Sequence, residues 1–334
     1  MAEKLRTGVI GVGAMGANHA RAFQELPASD LVAIADVDAA RRGLVVAGGG
    51  LREYGAYQEM LAEARLDAVS IAVPTRLHAE VALACIERRV PVLVEKPLSA
   101  SLDEGERLRA ASEEHGVPLM VGHIERFNPA VQELKRRLDA GELGRVIQVR
   151  ARRVGPFFPR ERDIGVVHDL ATHDIDIFHH LLGCEVQHVE AETQVGLKTK
   201  YDDALLGLLR FENGVIGVLE VNWLTPAKTR ELSVLGERGM FVVDYLSQTL
   251  SWYPSDAGDG AGRGDAHGEV RAFPEPGRAP LHAELAAFLR VASGRELPAV
   301  GASEGIQAMR VADALGESAA RGERVRLGAG RVAG

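Results

Sequence analysis

One short segment restricts the fold of this chain more than any other. An apolar run at 7–10 leads directly into Gly11-Val-Gly13-Ala-Met-Gly16, and a helix-like stretch, 18–25, follows. A strand that turns through glycines into a helix gives each glycine a separate duty. Gly11 permits the tight turn, Gly13 lets the backbone approach a pyrophosphate, and Gly16 allows the helix to pack closely on the sheet. The helix N-terminus then offers amide donors and a favourable dipole to phosphate oxygens. Asp36 closes the second apolar run about twenty residues after Gly16. A carboxylate there accepts hydrogen bonds from a ribose diol and repels a 2′-phosphate, so NAD is expected ahead of NADP. Arg41 and Arg42, close by, keep NADP as the second option. The competing reading is a glycine turn in a similar fold that binds no nucleotide.

The surroundings of the motif support the first reading. Further apolar runs at 31–35, 68–73, 92–94 and 119–121 are continuous rather than alternating, with helical stretches at 78–88 and 101–115. Such runs suit a parallel sheet covered on both faces. The alternation predicts a doubly wound α/β Rossmann domain over 1–122. The pattern then changes. A helix candidate at 129–140 is followed by strand candidates at 145–154, 204–211, 215–221, 231–235 and 240–243. Glu212-Asn213-Gly214 is a hairpin turn signal. Residues 123–330 therefore read as an α+β substrate-binding and oligomerisation domain with a large, mostly antiparallel open sheet. Leu205 and Leu209 point one way along their strand, Leu206 and Leu208 the other. One face is expected to meet helices and the other a second copy of the chain, in a homodimer or homotetramer, because an exposed apolar face is a liability. Residues 256–268 read as a mobile loop, and 281–293 and 304–320 as helices, the latter packing back on the first domain.

Composition narrows the class. At roughly 150 residues per domain, 334 residues suggest two domains. Hydrophobic residues at 46% and charged residues at 26% argue against disorder. Lys plus Arg is 39 and Asp plus Glu is 47, a net charge of −8, which disfavours a nucleic-acid partner. Cys85 and Cys184 are too few for a disulfide framework or a four-cysteine zinc site, which fits a reducing compartment. No signal-peptide pattern and no apolar stretch of roughly 18 residues is visible, so a cytoplasmic protein without a membrane partner is expected.

Three further segments carry chemistry. Glu95-Lys96-Pro97 closes the fourth apolar run, and sites in open α/β sheets lie beyond strand carboxyl ends. Lys96 there suits stabilisation of an alkoxide, and a surface lysine before a turn proline is the bland alternative. In His168-Asp169-Leu-Ala-Thr-His173-Asp174-Ile-Asp176, a helix would set Asp169 and His173 one turn apart on one face. That pair suits acid/base work near neutral pH. Metal is the rival reading, because His168, Asp169, His173, Asp176, His179, His180 and Cys184 crowd one segment. No standard ligand spacing appears among them, and no metal is expected. A helix with capping acids and solvated histidines is the bland reading. Finally, Arg150, Arg152, Arg153, Arg160 and Arg162 form a cationic stretch that fits an anionic substrate or, equally, a solvated strand face.

Taken together, the glycine fingerprint, Glu95-Lys96-Pro97 and Asp169-x-x-x-His173-x-x-Asp176 resemble the Gfo/Idh/MocA oxidoreductase family, over nearly the whole chain to about Arg326. The resemblance implies an NAD(P)-dependent dehydrogenase of sugars, cyclitols or their derivatives. It implies Lys96 and His173 as the catalytic pair, Asp169 as a substrate contact and a cis Lys96–Pro97 peptide. The expected cofactor contacts are Gly11, Gly13, Ala14, Met15, Gly16, Asp36, Val73, Pro74, Thr75, His78, Glu95, Lys96 and Pro97. Ala171 stands where the family often has glycine, a modest change on a helix. Non-catalytic relatives that only bind nucleotide exist, and the presence of both Lys96 and His173 argues against that fate. Within the family, Gly122-His-Ile-Glu-Arg126-Phe-Asn128-Pro129-Ala, Ala171-Thr-His173-Asp-Ile-Asp176 and Val221-Asn222-Trp223-Leu-Thr-Pro226-x-Lys228-x-Arg230 resemble the UDP-N-acetylglucosamine 3-dehydrogenase branch. That implies oxidation of the sugar 3-hydroxyl, with the arginine stretch holding the pyrophosphate. Arg126, Asn128, Arg153, Asn222 and Trp223 are the further expected substrate contacts, although Trp223 equally suits a core. A dehydrogenase of inositol or a free sugar, a non-catalytic NAD sensor and a metal-dependent hydrolase are the alternatives.

Overall fold

The computed structural model describes residues 4–45, 50–158, 163–255, 269–272 and 279–328. The elements are β1 (Leu5–Ile10), α1 (Ala14–Glu25), β2 (Ser29–Ala35), α2 (Ala39–Val45), β3 (Arg52–Tyr54), α3 (Tyr57–Glu63), β4 (Ala68–Ile71), α4 (His78–Glu87), β5 (Val92–Glu95), α5 (Leu102–His115) and β6 (Leu119–Gly122). After these come α6 (Pro129–Asp139), β7 (Val146–Val154), α7 (Thr172–Leu182), β8 (Val186–Val195), β9 (Asp202–Phe211), β10 (Ile216–Asn222), β11 (Thr229–Gly236), β12 (Gly239–Asp244), β13 (Thr249–Pro254), β14 (Glu269–Ala272), α8 (Pro280–Ala292), α9 (Ala302–Arg321) and β15 (Val325–Arg326). The chain divides into two compact units, the first drawn from 1–124 and 277–309, the second from 125–276 and 310–334. Among the described residues no helix is long and apolar enough to cross a membrane.

The first unit is a six-stranded parallel sheet in the order β3-β2-β1-β4-β5-β6. Every residue of β4, β5 and β6 is buried, as continuous apolar runs demand when helices cover both faces. The run at 68–73 ends as a strand at Ile71, and Pro74 beyond it has no amide to continue a ladder. Helix α5 starts at Ser101, whose side chain accepts from the Glu104 amide, and stops at Gly116 in the left-handed conformation. Ile306 and Met309, from the first turns of α9, join the core of this sheet.

The second unit is a nine-stranded sheet, β14-β13-β12-β11-β7-β10-β9-β8-β15. Its pairings are antiparallel except β7 with β10. Glu212–Gly214 makes the β9–β10 hairpin turn, with the Phe211 amide on the Val215 carbonyl. Along β9, Leu205 and Leu209 are buried while Leu206 and Leu208 are 61% and 51% exposed. The buried face carries Val149, Leu219, Leu232, Val234 and Phe241, with Phe178 of α7 packed edge-on against Phe211. The predicted loop at 256–268 lies outside the described residues. Strand β8 was not foreseen, because only Val186 and Val189 are buried along it and its hydrophobic signal is weak.

Candidate active site

In the first unit, the loops after β1, β2, β4 and β5 leave the same carboxyl edge of the sheet. Two of the three fingerprint glycines, Gly11 and Gly16, are sterically required. A Cβ on Gly11, at φ +84°, would lie 2.7 Å from backbone atoms of Ala72, and a Cβ on Gly16 would lie 1.7 Å from the Gly11 carbonyl oxygen. A Cβ on Gly13 would meet nothing closer than an Arg41 side-chain atom at 3.9 Å, so this position faces open space. Helix α1 begins there with no side-chain cap. The cradle thus fits the pyrophosphate of a dinucleotide: an uncapped helix N-terminus behind a glycine whose outer side is clear.

Asp36 follows β2, and its Oδ2 accepts from the Val12 amide at 2.8 Å while its Oδ1 accepts from the Asp38 amide at 2.9 Å. The two arginines that favoured NADP are already engaged. Arg42 donates to the Asp36 carbonyl at 2.6 Å, and its Nε stands 3.5 Å from Glu53. Arg41 pairs with Asp38 at 3.3 Å.

Lys96 follows β5, half-buried, and its peptide bond to Pro97 is cis. Glu95 is buried, with Oε1 3.0 Å from His19 Nε2. Burial pushes its carboxyl up, but the His19 hydrogen bond and the Lys96 charge outweigh burial and hold it below the ordinary value. His78, 1% exposed, has Nδ1 2.8 Å from the Pro97 carbonyl and Nε2 3.0 Å from the Val73 carbonyl. Two of the expected cofactor contacts, Glu95 and His78, therefore spend their polar atoms on the protein itself.

In the second unit, His173 lies in the first turn of α7, which continues from a π-helical turn at Val167–Ala171. Asp169 and His173 are both half-buried. A π turn where an α-helix was expected changes how side chains leave the helix, and such turns recur at functional sites. Asp202 anchors the start of this turn by accepting the Val167 amide at 2.7 Å. Gly165 makes room for that carboxylate, since a Cβ there would sit 2.2 Å from it.

Two guanidinium clamps hold α7. Arg153, on β7, donates from two nitrogens to Asp174 at 2.8 and 2.9 Å and from a third to Glu125 at 3.0 Å, over the Tyr245 ring. Arg126 grips Asp176 at 2.8 and 2.6 Å. Both arginines are expected on substrate; in the structure Arg153 is 2% exposed and paired with Asp174 and Glu125, and Arg126 is paired with Asp176. Asp174 and Asp176 give the signal in hindsight: acids among apolar residues on one helix require buried cations.

Other expectations change too. Asn128 is 1% exposed and caps α6, accepting the Ala130 amide and donating to the Tyr245 carbonyl. Trp223 is 3% exposed, with Nε1 donating to Asp203 at 2.5 Å, so the core alternative applies. Asn222 Oδ1 accepts from the Leu224 and Thr225 amides and shapes the turn after β10. The arginine stretch is not one patch. Strand alternation puts Arg150 and Arg152 on the face opposite Arg153, paired with Glu220 at 3.7 and 3.1 Å. Arg160 and Arg162 lie outside the described residues. On the Arg153 face, Arg230 stands opposite Arg153 in register, and its charge together with burial holds Lys228 below the ordinary lysine value.

The crowded histidine segment does not gather on one point. His168 pairs with Asp313 at 2.8 Å, His179 Nδ1 with the Ile175 carbonyl at 3.0 Å, and burial with the Arg126 charge pushes His180 down to about 4. Among the described residues the one cluster with metal-ligand composition is His19, Glu95 and Glu284, with ligand atoms within 4.8 Å of one another.

Comparison with known proteins agrees with this geometry. Residues 5–123 match an oxidoreductase family with an NAD-binding Rossmann fold, and 131–242 match the GFO/IDH/MocA C-terminal domain. The chain is 34% identical over 254 residues to UDP-N-acetylglucosamine 3-dehydrogenase of Acidithiobacillus ferrooxidans, covering 76% of this chain and 78% of that protein. It is 30% identical to scyllo-inositol 2-dehydrogenase (NAD(+)) of Bacillus subtilis, over 74% and 75% of the two chains. A solved structure of the Acidithiobacillus enzyme superposes with a TM-score of 0.84 at 30% identity, over 95% of this chain and 98% of that one. The chain belongs to the Gfo/Idh/MocA family of NAD-binding oxidoreductases, sugar and polyol dehydrogenases that act on CH–OH groups.

Proposed function

We propose that this enzyme oxidises a secondary hydroxyl of a sugar nucleotide, with the 3-hydroxyl of UDP-N-acetylglucosamine as the preferred target. The 34% identity to a dehydrogenase named for that substrate carries the choice through its span, 76% of this chain, against 65% for an inositol 2-dehydrogenase of equal identity. Lys228 and Arg230 support it. They crowd one face, where Arg230 stands 3.9 Å from Glu125 and its charge lowers the Lys228 pKa, and a pyrophosphate would relieve their repulsion. The second reading, a dehydrogenase of inositol or a free sugar, is favoured by the 30% identity to the inositol enzyme.

NAD, when bound, supplies the hydride acceptor. Gly11, Gly13, Ala14, Met15 and Gly16 would hold its pyrophosphate, Asp36 its ribose diol, and Val73, Pro74, Thr75 and Pro97 the carboxyl-edge side of the site. His173 takes the hydroxyl proton as the carbon–hydrogen bond breaks, and Lys96 stabilises the oxygen as negative charge develops. Asp169 holds substrate beside the imidazole. The reverse assignment, with Lys96 as base, uses the same two groups. The open face of the second sheet, with Leu206 and Leu208 outward, is the proposed contact with a second copy of the chain.

The deciding experiment follows NADH absorbance with NAD and UDP-N-acetylglucosamine, with inositol and glucose in parallel. NADH with the nucleotide sugar alone is the expected result, and turnover of inositol or glucose instead overturns the sugar-nucleotide assignment. His173→Ala and Lys96→Met should each lower kcat by about two orders of magnitude or more, the usual worth of a positioned proton-transfer group, while NAD affinity stays close to wild type. Full activity in His173→Ala would make that residue structural.

A further inference from the structure

Lys96 sits on a turn whose two flanks are each tied to a buried histidine from a different helix. On one flank Glu95, the last residue of β5, points inward and is 8% exposed. A buried carboxylate is costly unless hydrogen-bonded. Its Oε1 faces His19 Nε2 at 3.0 Å, and its Oε2 accepts the Lys96 amide at 3.2 Å. Because a carboxylate only accepts, the His19 proton resides on Nε2, and Ser70, 2.6 Å from Nδ1, completes the chain. His19 and Ser70 are fully buried. Gly122 on β6 stands opposite Glu95, where a Cβ would come within 3.2 Å of the carboxyl carbon. Glu284 of α8 brings a second buried carboxylate to within 4.8 Å of the same His19 and Glu95 atoms. On the other flank the His78 ring lies between the turns after β5 and β4, with Nδ1 2.8 Å from the Pro97 carbonyl and Nε2 3.0 Å from the Val73 carbonyl, and its N–H donates to one of them.

We infer that His19, acting through Glu95, and His78, acting through the Pro97 carbonyl, are positioning residues that set Lys96 for the reaction. The inference rests on the proposed catalytic role of Lys96. His19 lies on α1 three residues beyond Gly16, so the element that cradles the dinucleotide is also hydrogen-bonded to the catalytic turn. Lysine is a long, flexible side chain, and catalytic groups must be held to about 0.5 Å. Fixing the backbone on both sides of Lys96 removes one source of slack. None of His19, Ser70 and Glu284 stood out in the sequence, since none belongs to a local motif and only the fold brings them together.

The chain has six lysines, so reductive methylation with 13C gives a simple proton–carbon spectrum in which the signal absent from Lys96→Met is that of Lys96. Spectra, thermal unfolding and NAD affinity are compared for wild type, His19→Leu, His19→Gln and Ser70→Ala. We expect His19→Leu to shift or broaden the Lys96 signal while the other five stay in place, and to leave NAD affinity within about threefold. Glutamine can donate to Glu95 from nearly the same point, so His19→Gln should restore the signal. Turnover with the accepted sugar should drop at least tenfold in kcat for His19→Leu with little change in KM, and recover in His19→Gln. Ser70→Ala deletes one oxygen and gives a smaller shift of the same signal, which tests the chain even where the leucine variant unfolds. A Lys96 signal unmoved in folded His19→Leu and Ser70→Ala overturns the inference, as does equal displacement of all six signals. Full turnover in Lys96→Met would instead overturn the catalytic reading, because the spectral coupling is read independently of it.

Discussion

Asp36 acts twice. It was singled out for a ribose diol, and it also accepts the Val12 amide inside the glycine loop. Asp36→Ala should therefore weaken both dinucleotides through a loosened loop, and weaken NAD further through the lost diol contact. Titration with NADH and NADPH checks this, and equal losses would remove the ribose assignment. The Asp36 position was legible because a local motif carries it: strand, glycines and acid lie within one continuous segment. His19 was not, since its partner Glu95 is 76 residues away and only the parallel sheet brings them together. Arg153 was misread for a related reason. A guanidinium looks the same in sequence whether it meets a substrate phosphate or a buried aspartate.

Helix α7 shows what an element adds to its residues. It is held by the Arg153–Asp174 and Arg126–Asp176 pairs, one buried and one nearly so. Removing one partner of a buried pair strands the other charge, at a cost of about 3–5 kcal/mol. Arg153→Met should show that loss in urea denaturation, and replacing Arg153 and Asp174 together by apolar residues should recover only part of it, because Glu125 also loses its 3.0 Å partner. His180 offers a second test on the same helix. Burial and the Arg126 charge push it from 6.5 down to about 4. Below 6.5 the unfolded chain binds a proton that the native chain refuses, so stability falls as pH drops from 6.5 toward 4, by up to about 3 kcal/mol. Denaturation at pH 7 and pH 4.5 should show His180→Gln losing less stability on acidification than wild type. The helix entered the sequence reading only as a condition on the Asp169–His173 spacing. Its π-helical first turn was not legible, because Asp202 and Gly165 meet there across 37 residues.

At the scale of the whole molecule, the open sheet face sets the expected assembly. Leu206 and Leu208 stand outward on β9, 61% and 51% exposed, and this exposure supports the proposed contact with a second copy. Leu206→Glu with Leu208→Glu should reduce the solution mass measured by light scattering, with helix and strand content unchanged. A wild-type mass equal to one chain would remove the proposed contact.

Sequence alone determined the two kinds of sheet, because residue patterning is set by burial on one face or two, and it determined the cofactor cradle, because glycine geometry is local. It also placed Lys96 just beyond the carboxyl end of β5, where sites in open α/β sheets lie. Only tertiary structure decided which charges are spent inside the protein. Arg150 and Arg152 went to one face and Arg153 to the other by the two-residue period of a strand, and each then met the carboxylate that folding brought to it. Pairing of charges across long stretches of chain is a property of the packed sheet, and no window of sequence contains both partners.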